Sequence, residues 1–254
     1  AEFACDNGHY EQIPDGWTIT TIKDICENIN GLWKGKKEPL VNVGVIRNAN
    51  FTKDFKLDYT NIEYIDVEQR AFVQRHLLNG DLIVEKSGGS DNNPVGRAIL
   101  YEGKNRVFSF SNFTMVLRVK DKNIVSSKFL YYYILYKYQK GTMRSMQTQT
   151  TGLHNLILEK YLAMPLYLPP YSEQQRIIKR IKVIFNTLDT IKKSLEALHY
   201  CIQFGKYCMN SIYNSFLFRY WWQRKFDTLY NGFRYSLLAN YSIKGTNTMV
   251  YKEI

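Results

Sequence analysis

A proline pair followed by an unbroken heptad constrains this chain more than any other feature. Residues 162–198 read LAMPLYLPPYSEQQRIIKRIKVIFNTLDTIKKSLEAL. The apolar run before Pro169-Pro170 stops there, because a proline pair cannot continue a strand ladder. Ser172 is a natural N-cap, and Gln175 three residues later completes a capping-box pattern. Apolar residues then recur at Ile177, Ile181, Ile184, Leu188, Ile191, Leu195 and Leu198. The steps alternate four and three, which is the seam of a coiled coil. An ordinary surface helix shows a broader stripe. A helix from Ser172 to about His199 is ~42 Å long. Its seam calls for a partner helix, since an apolar stripe left in water associates with something.

Before this rod lie about 170 residues of different character. Ile13-Pro14-Asp15-Gly16-Trp17 is a turn followed by a large anchor, and Ile19, Ile22, Ile25 and Ile29 suit a short strand and a helical turn ending near Gly31. Residues 32–40 (LWKGKKEPL) form a basic loop. Strands are expected over 41–46, 62–65, 82–85, 97–101, 113–119 and 164–168, from their runs of apolar and β-branched residues. A helix is expected from Ser126 or Ser127 to about Lys140, ended by Gly141, and a short one over 156–162. Two polar segments read as loops: 86–95 (KSGGSDNNPV) and 143–155 (MRSMQTQTTGLHN). The expected fold is therefore α+β: a globular domain at 1–170, then a coiled-coil spacer helix and return helix over 171–220. The helical hairpin rests on Phe204, Cys208, Ile212 and Phe216 sharing one face. An aromatic basic tail at 221–254 completes the division.

Charge narrows the function classes. Thirty-four Lys and Arg oppose twenty-three Asp and Glu, a net charge of +11. That balance favours an acidic partner, with nucleic acid first among them. Ribosomal proteins, membrane-surface proteins and many basic enzymes share it. The cysteines (Cys5, Cys26, Cys201, Cys208) form no CxxC pair, and the histidines are scattered. Metal is not expected, and the thiols are read as free in a reducing cytoplasm. No signal peptide is recognised and no run of ~18 apolar residues suits a bilayer, so no membrane partner is expected.

Catalytic constellations are missing from the pattern. Leu168-Pro169-Pro170-Tyr171 half-resembles the [DN]-P-P-[YFW] box of amino-methyltransferases, but Leu168 cannot hydrogen-bond a target amine. Asp81, Glu85 and Lys86 suggest a nuclease triad, yet adjacent residues on a strand point to opposite faces. No catalytic residue and no bound cofactor is expected on this chain.

The polar segments suit base recognition instead. Asn and Gln bond adenine edges bidentately, Arg reads guanine, and a Thr methyl packs on thymine. The candidates in the second segment are Arg144, Gln147, Gln149, Thr150, Thr151, His154 and Asn155; those in and after the first are Lys86, Ser87, Asp91, Asn92, Asn93 and Arg97. Gly88-Gly89 and Gly152 let a backbone come close. Lys34, Lys36 and Lys37 are expected phosphate contacts, which position without specifying.

Taken together, the motifs resemble the specificity subunit of type I restriction–modification systems. The resemblance rests on Ile13-Pro14-Asp15-Gly16-Trp17, Gly80-Asp81-Leu82-Ile83, Gln149-Thr150-Thr151-Gly152, and Met164-Pro165-Leu166 through Pro169-Pro170 to Glu173-Gln174-Gln175-Arg176-Ile177. It covers about residues 11–200, and the order and spacing of the motifs carry it. It implies a non-catalytic target-recognition domain that reads one half of a split double-stranded DNA sequence. The rod, somewhat longer than one turn of B-DNA at ~34 Å, would set the distance to the second half. The expected partners are modification subunits that carry S-adenosylmethionine and methylate a flipped adenine, a restriction subunit, and a second copy of the chain joined through the seam. A full subunit of that family carries two recognition domains and two rods, and only one set is visible here. A half-length subunit that dimerises, a fragment and a natural truncation all fit. Two other readings stay open: a coiled-coil structural protein that binds no DNA, and a stand-alone methyltransferase or nuclease fragment.

Overall fold

The computed structural model describes residues 13–90, 93–150, 153–209, 224–225 and 228. The chain divides into two compact units, Ala1–Gln175 and Arg176–Ile254. The first opens on the expected turn. The Trp17 N–H donates to the Pro14 carbonyl at 3.0 Å, and Gly16 takes φ +80°, as the third residue of a type II turn requires. Then follow β1 (Thr18–Thr21), the single helical turn α1 (Ile22–Ile25) and β2 (Cys26–Asn30). Thr21 caps α1 reciprocally with Asp24, and the bonds from the Thr21 hydroxyl and N–H hold the Asp24 carboxyl below its ordinary range. Next come β3 (Leu40–Ile46), a 3-10 turn at Asn48–Asn50, β4 (Glu63–Glu68), α2 (Gln69–Arg75), β5 (Leu82–Glu85), β6 (Ser87–Gly89), β7 (Ala98–Leu100), β8 (Phe108–Phe110) and β9 (Thr114–Val119). The unit closes with α3 (Ser127–Gln139), a 3-10 turn at Thr142–Met146, β10 (Gln147–Thr150), β11 (Leu153–Leu156), α4 (Leu158–Leu162), β12 (Pro165–Leu168) and the start of α5 (Tyr171–Met209).

The strands form four small sheets. A central sheet runs β2-β9-β5-β7, all antiparallel. Its inner strand β5 reads LIVE and is buried at every position, which suits a strand covered on both faces. A second sheet runs β4-β3-β8, where β3 and β8 are parallel. Between these two lies a core of Ile46, Phe51, Leu77, Ile83, Ile99, Tyr101, Phe110 and Val116. Each large apolar side chain buried there contributes roughly 1.5–3 kcal/mol. β1 pairs antiparallel with β12, so the start of the unit meets the strand that leads into α5. The fourth sheet, β10-β11-β6, bears the candidate site.

One ion pair ties the start of β5 to its inner neighbour β9. Asp81 is 2 % exposed, and both its oxygens accept from Arg118, at 2.7 and 2.9 Å. Asp81 also accepts from the Leu78 N–H at 2.8 Å, and Arg118 donates to the His76 carbonyl at 2.9 Å. Asp81 is thus fully engaged in holding the turn before β5. Cys26 is buried, and desolvation pushes its thiol up to about 12. Among the described residues no cluster of His, Cys, Asp or Glu is placed to hold a metal ion. No described helix is long and apolar enough to cross a membrane.

Several sequence expectations differ from the structure. The segment read as a loop at 143–155 is a 3-10 turn and the hairpin β10-β11, and 86–95 contains β6. Both are short and polar, so neither shows the apolar alternation that reveals a strand. α2 and β8 were not expected either; they are short, at seven and three residues. The helix boundary also moves. α5 begins at Tyr171, which puts Ser172 inside the first turn instead of at the cap. The Pro170 carbonyl accepts the N–H groups of Glu173 and Gln174 at 2.9 and 3.0 Å. Gln174, not Gln175, is the buried amide. Its Nε2 donates to the carbonyls of Ile124 (2.8 Å) and Pro169 (2.9 Å), and its Oε1 accepts the Ser126 N–H (2.8 Å).

α5 spans 39 residues, about 58 Å at ~1.5 Å per residue. It runs without a break past His199, where the heptad reading ends the first helix. The later part of the expected return helix, from 210, and most of the aromatic tail lie outside the described residues. Of the expected seam, Ile177 and Ile181 are buried, Ile184, Leu188 and Leu195 are half-buried, and Ile191 and Leu198 are exposed. Ile178 and Phe185 are buried as well. The first half of the helix therefore buries a broader stripe than the heptad, and beyond Leu188 the expected seam is exposed at Ile191 and Leu198 and half-buried at Leu195.

Replacing Gln174 with Leu should cost about 3 kcal/mol of stability, because it leaves one N–H and two carbonyls buried without partners. Chemical denaturation of the two proteins checks this.

Candidate nucleic-acid interface

The two polar segments singled out in the sequence meet in one sheet. β11 lies in the middle, with β10 on one side and β6 on the other. In β10-β11, Gln147 faces Leu156, Thr148 faces Asn155, Gln149 faces His154 and Thr150 faces Leu153. On the other side His154 faces Gly89 and Asn155 faces Ser87, with a register shift between His154 and Asn155. Segments some sixty residues apart in sequence thus become neighbouring strands ~4.8 Å apart.

The stretch from Glu85 to Arg97 is held at many points. Its two ends are joined by backbone bonds, Glu85 N–H to the Arg97 carbonyl at 2.9 Å and Gly96 N–H to the Glu85 carbonyl at 2.8 Å. Below them the Arg97 guanidinium donates to both Glu85 oxygens, at 3.0 and 2.8 Å, and stacks over the Phe51 ring at 5.3 Å. Such a bidentate pair fixes orientation as well as distance. Burial raises the Glu85 carboxyl above its ordinary range, and Arg97 only partly offsets this. Further bonds grip the backbone between the ends. Asn48 donates to the Ser87 carbonyl at 2.6 Å, the Tyr138 hydroxyl to Pro94 at 3.1 Å and the Tyr161 hydroxyl to Gly96 at 3.2 Å. The Val95 N–H donates to Gln147 Oε1 at 3.2 Å. At the tip, Ser90 and Asn93 exchange backbone bonds at 2.8 and 3.1 Å. A Cβ on Gly89 would come within 2.8 Å of the Asn93 carbonyl, so the close approach that this glycine permits is to its own loop.

The predicted residues divide by what they touch. Arg144 and Asn93 are exposed, Arg144 on the 3-10 turn before β10 and Asn93 at the loop tip. Lys34, Lys36 and Lys37 are exposed on the segment after β2. Lys86 donates to Asn30 Oδ1 at 3.0 Å, and partial burial lowers its ammonium below the ordinary range. The Ser87 hydroxyl donates to Asn155 Oδ1 across the sheet. Arg97 and Gln147 hold the loop as described, and His154 is buried in β11. Gln149 and Thr150 are placed by backbone register. Asp91, Asn92 and Thr151 lie outside the described residues. Asp81, Glu85 and Lys86 do not converge: Asp81 is bound to Arg118, Glu85 to Arg97 and Lys86 to Asn30.

Sequence reasoning missed Asn48 and Tyr138 as parts of the site and weighed Glu85 only in a nuclease-like triad. Asn48 and Tyr138 come from distant elements, whereas Glu85 directly precedes Lys86 and was hidden by its apolar strand.

The candidate site is thus a small sheet of polar strands with its backbone held from several elements. A family model described as the type I restriction modification DNA specificity domain matches residues 14–200, and the chain belongs to that family. Two curated relatives are similar to it. A Methanocaldococcus jannaschii protein, provisionally named the type I restriction enzyme MjaX specificity subunit, is 25% identical over 190 residues, covering 74% of this chain and 44% of that protein. The type I restriction enzyme StySPI specificity subunit of Salmonella potsdam is 26% identical over 181 residues, covering 71% and 38%. The chain thus spans less than half the length of the curated relatives it matches. Among solved structures, the HsdS subunit of Thermoanaerobacter tengcongensis shares the fold, with a TM-score of 0.50, 18% identity, and coverage of 72% of this chain and 40% of that one.

Replacing Arg97 with Met should destabilise the unit by about 3 kcal/mol near pH 7, because Glu85 is left buried and charged. The sign with pH follows from Glu85. Its folded form holds a proton more tightly than the unfolded chain does, so this group favours folding at low pH and disfavours it as pH rises through its raised value. The deficit of Arg97→Met should therefore shrink on going from about pH 7 to about pH 5, as urea unfolding at both values would reveal.

Proposed function

We propose that the first unit reads a short stretch of double-stranded DNA as the recognition part of a type I restriction–modification specificity subunit, with no catalytic role of its own. The single observation that carries this is the sheet β10-β11-β6, which sets two polar segments side by side in a chain of the DNA specificity domain family. Arg144 and Asn93 stand where base edges can be reached, since both are exposed at its margin. The side chains of Gln147, Ser87 and Arg97 act from within: Gln147 holds the Val95 backbone, Ser87 the Asn155 side chain and Arg97 the Glu85 carboxylate. Lys34, Lys36 and Lys37 are the phosphate contacts, and the net charge of +11 favours the approach of DNA.

Modification subunits carrying S-adenosylmethionine supply the methylation, and a restriction subunit the cleavage. The second half of α5, where Ile191 and Leu198 are exposed, meets another helix, either in a second copy or in a partner subunit. A rod of this length supports a target split into two parts.

Selection from a randomised pool of duplexes, using the full chain together with modification subunits, is the test. A defined motif should be enriched, and Arg144→Ala should lose roughly tenfold in preference for it over scrambled DNA. Retention of duplexes without any shared motif would sink the reading.

A further inference from the structure

Trp33 is 71 % exposed, more than any other large apolar side chain among the described residues. A single exposed apolar residue is ordinary in a mobile loop. Trp33 differs because the backbone on both sides of it is pinned. Leu32, 3 % exposed, is anchored in a cluster with Val43 and Val67. Its N–H donates to the Phe110 carbonyl at 2.8 Å, and its carbonyl accepts the Asn112 N–H at 3.1 Å. Two residues beyond Trp33, the Gly35 N–H donates to the Asp66 carbonyl at 2.8 Å. Gly31 and Gly35 allow this contact to be close, since a Cβ would lie 1.9 Å from the Ser111 carbonyl oxygen and 2.7 Å from the Glu68 nitrogen respectively. The main chain that carries the indole is thereby fixed on both sides of Trp33, with the ring in solvent.

The same backbone leads directly to the candidate sheet. Asn112, bonded to Leu32, precedes Phe113, whose ring is 45 % exposed. The Phe113 carbonyl accepts the N–H groups of both Lys86 and Ser87, at 2.9 and 3.1 Å. Lys86 in turn reaches Asn30, three residues before Trp33. Two outward aromatic rings are therefore part of one backbone network with β6. Exposed Lys34, Lys36 and Lys37 follow Trp33 immediately.

We infer that Trp33, supported by Phe113, is an apolar contact to duplex DNA, packing on a deoxyribose or a base step beside the phosphates that the lysines neutralise. The inference rests on the DNA-recognition reading and adds a residue and a mode of contact to it. The chemistry selects the occupant. A protein partner for an indole offers an apolar recess, whereas this one is bordered by three exposed lysines, which favour a polyanion that also presents apolar sugar and base faces.

The two kinds of contact leave different signatures. A lysine–phosphate contact releases counterions, so its loss flattens the dependence of affinity on salt, by about 0.9 in the logarithmic slope per contact. An apolar contact releases none. Affinity of the full chain for a labelled mixed-sequence duplex is therefore measured across a salt series. Trp33→Ala should weaken binding roughly tenfold with the slope unchanged, and Trp33→Phe should recover most of the loss. Lys36→Ala should flatten the slope. Unaltered thermal unfolding of Trp33→Ala, expected for so exposed a side chain, shows that the loss is not a folding defect.

Equal affinity of Trp33→Ala and the parent chain overturns the inference. So does a variant that keeps its DNA affinity but no longer holds a modification subunit, which would make the occupant a protein. A parent chain that binds duplexes without any preference for sequence defeats the recognition reading alone, and the Trp33 contact then stands or falls by its own variant. Absence of any binding to DNA overturns both.

Discussion

The bidentate contact between Glu85 and Arg97 sits under everything the first unit presents. It closes the ends of a polar stretch that has almost no apolar surface with which to anchor itself. Four side chains from other elements (Asn48, Tyr138, Gln147 and Tyr161) then bond the backbone in between. Polar recognition surfaces face a general difficulty, because residues suited to reading a ligand do not pack. Here the difficulty is met by hydrogen bonds to main-chain carbonyls and N–H groups, which leave the side chains at the tip and margin outside the scaffold. Backbone ordered in advance lowers the entropy cost of binding.

The division between legible and hidden parts of the fold follows from the same chemistry. β5, β9, α3 and β12 announced themselves because their apolar residues are continuous or periodic, and Gly141 marked the end of α3 with its left-handed backbone, φ +77°. β6, β10 and β11 did not, since KSGGSDNN and QTQTTGLHN are the compositions of loops. Their strand character comes from pairing with one another, a tertiary fact that overrides local propensity. The candidate residues were legible as types but not as roles. Arg97 and Arg144 look alike in sequence, yet one is gripped by a buried carboxylate and the other is exposed. No local pattern separates them, because the carboxylate that decides the matter lies twelve residues away across a turn. The nuclease-like triad was legible as false from strand alternation alone, and the three separate partners of Asp81, Glu85 and Lys86 supply the physical account.

The rod was the clearest signal and the most unevenly realised. In the first half of α5 Gln174, Ile178 and Phe185 widen the buried face, and in the second half Ile191 and Leu198 of the heptad are exposed. A sequence period records which residues are apolar, and burial depends on how much surface is available to cover them. The start of the helix differs from expectation for a related reason. Pro170 already offers its carbonyl to the first turn, so a serine cap two positions later is redundant.

The pairing of β1 with β12 has a mechanical side. Thr18 lies opposite Leu168 and Thr21 opposite Pro165, so the chain enters β1 at the same edge from which it leaves toward α5. Tension between those two points would load the bonds one after another, as in a zipper, and not all together, as in a lap joint. The seam therefore resists bending and twisting far better than it resists being drawn open.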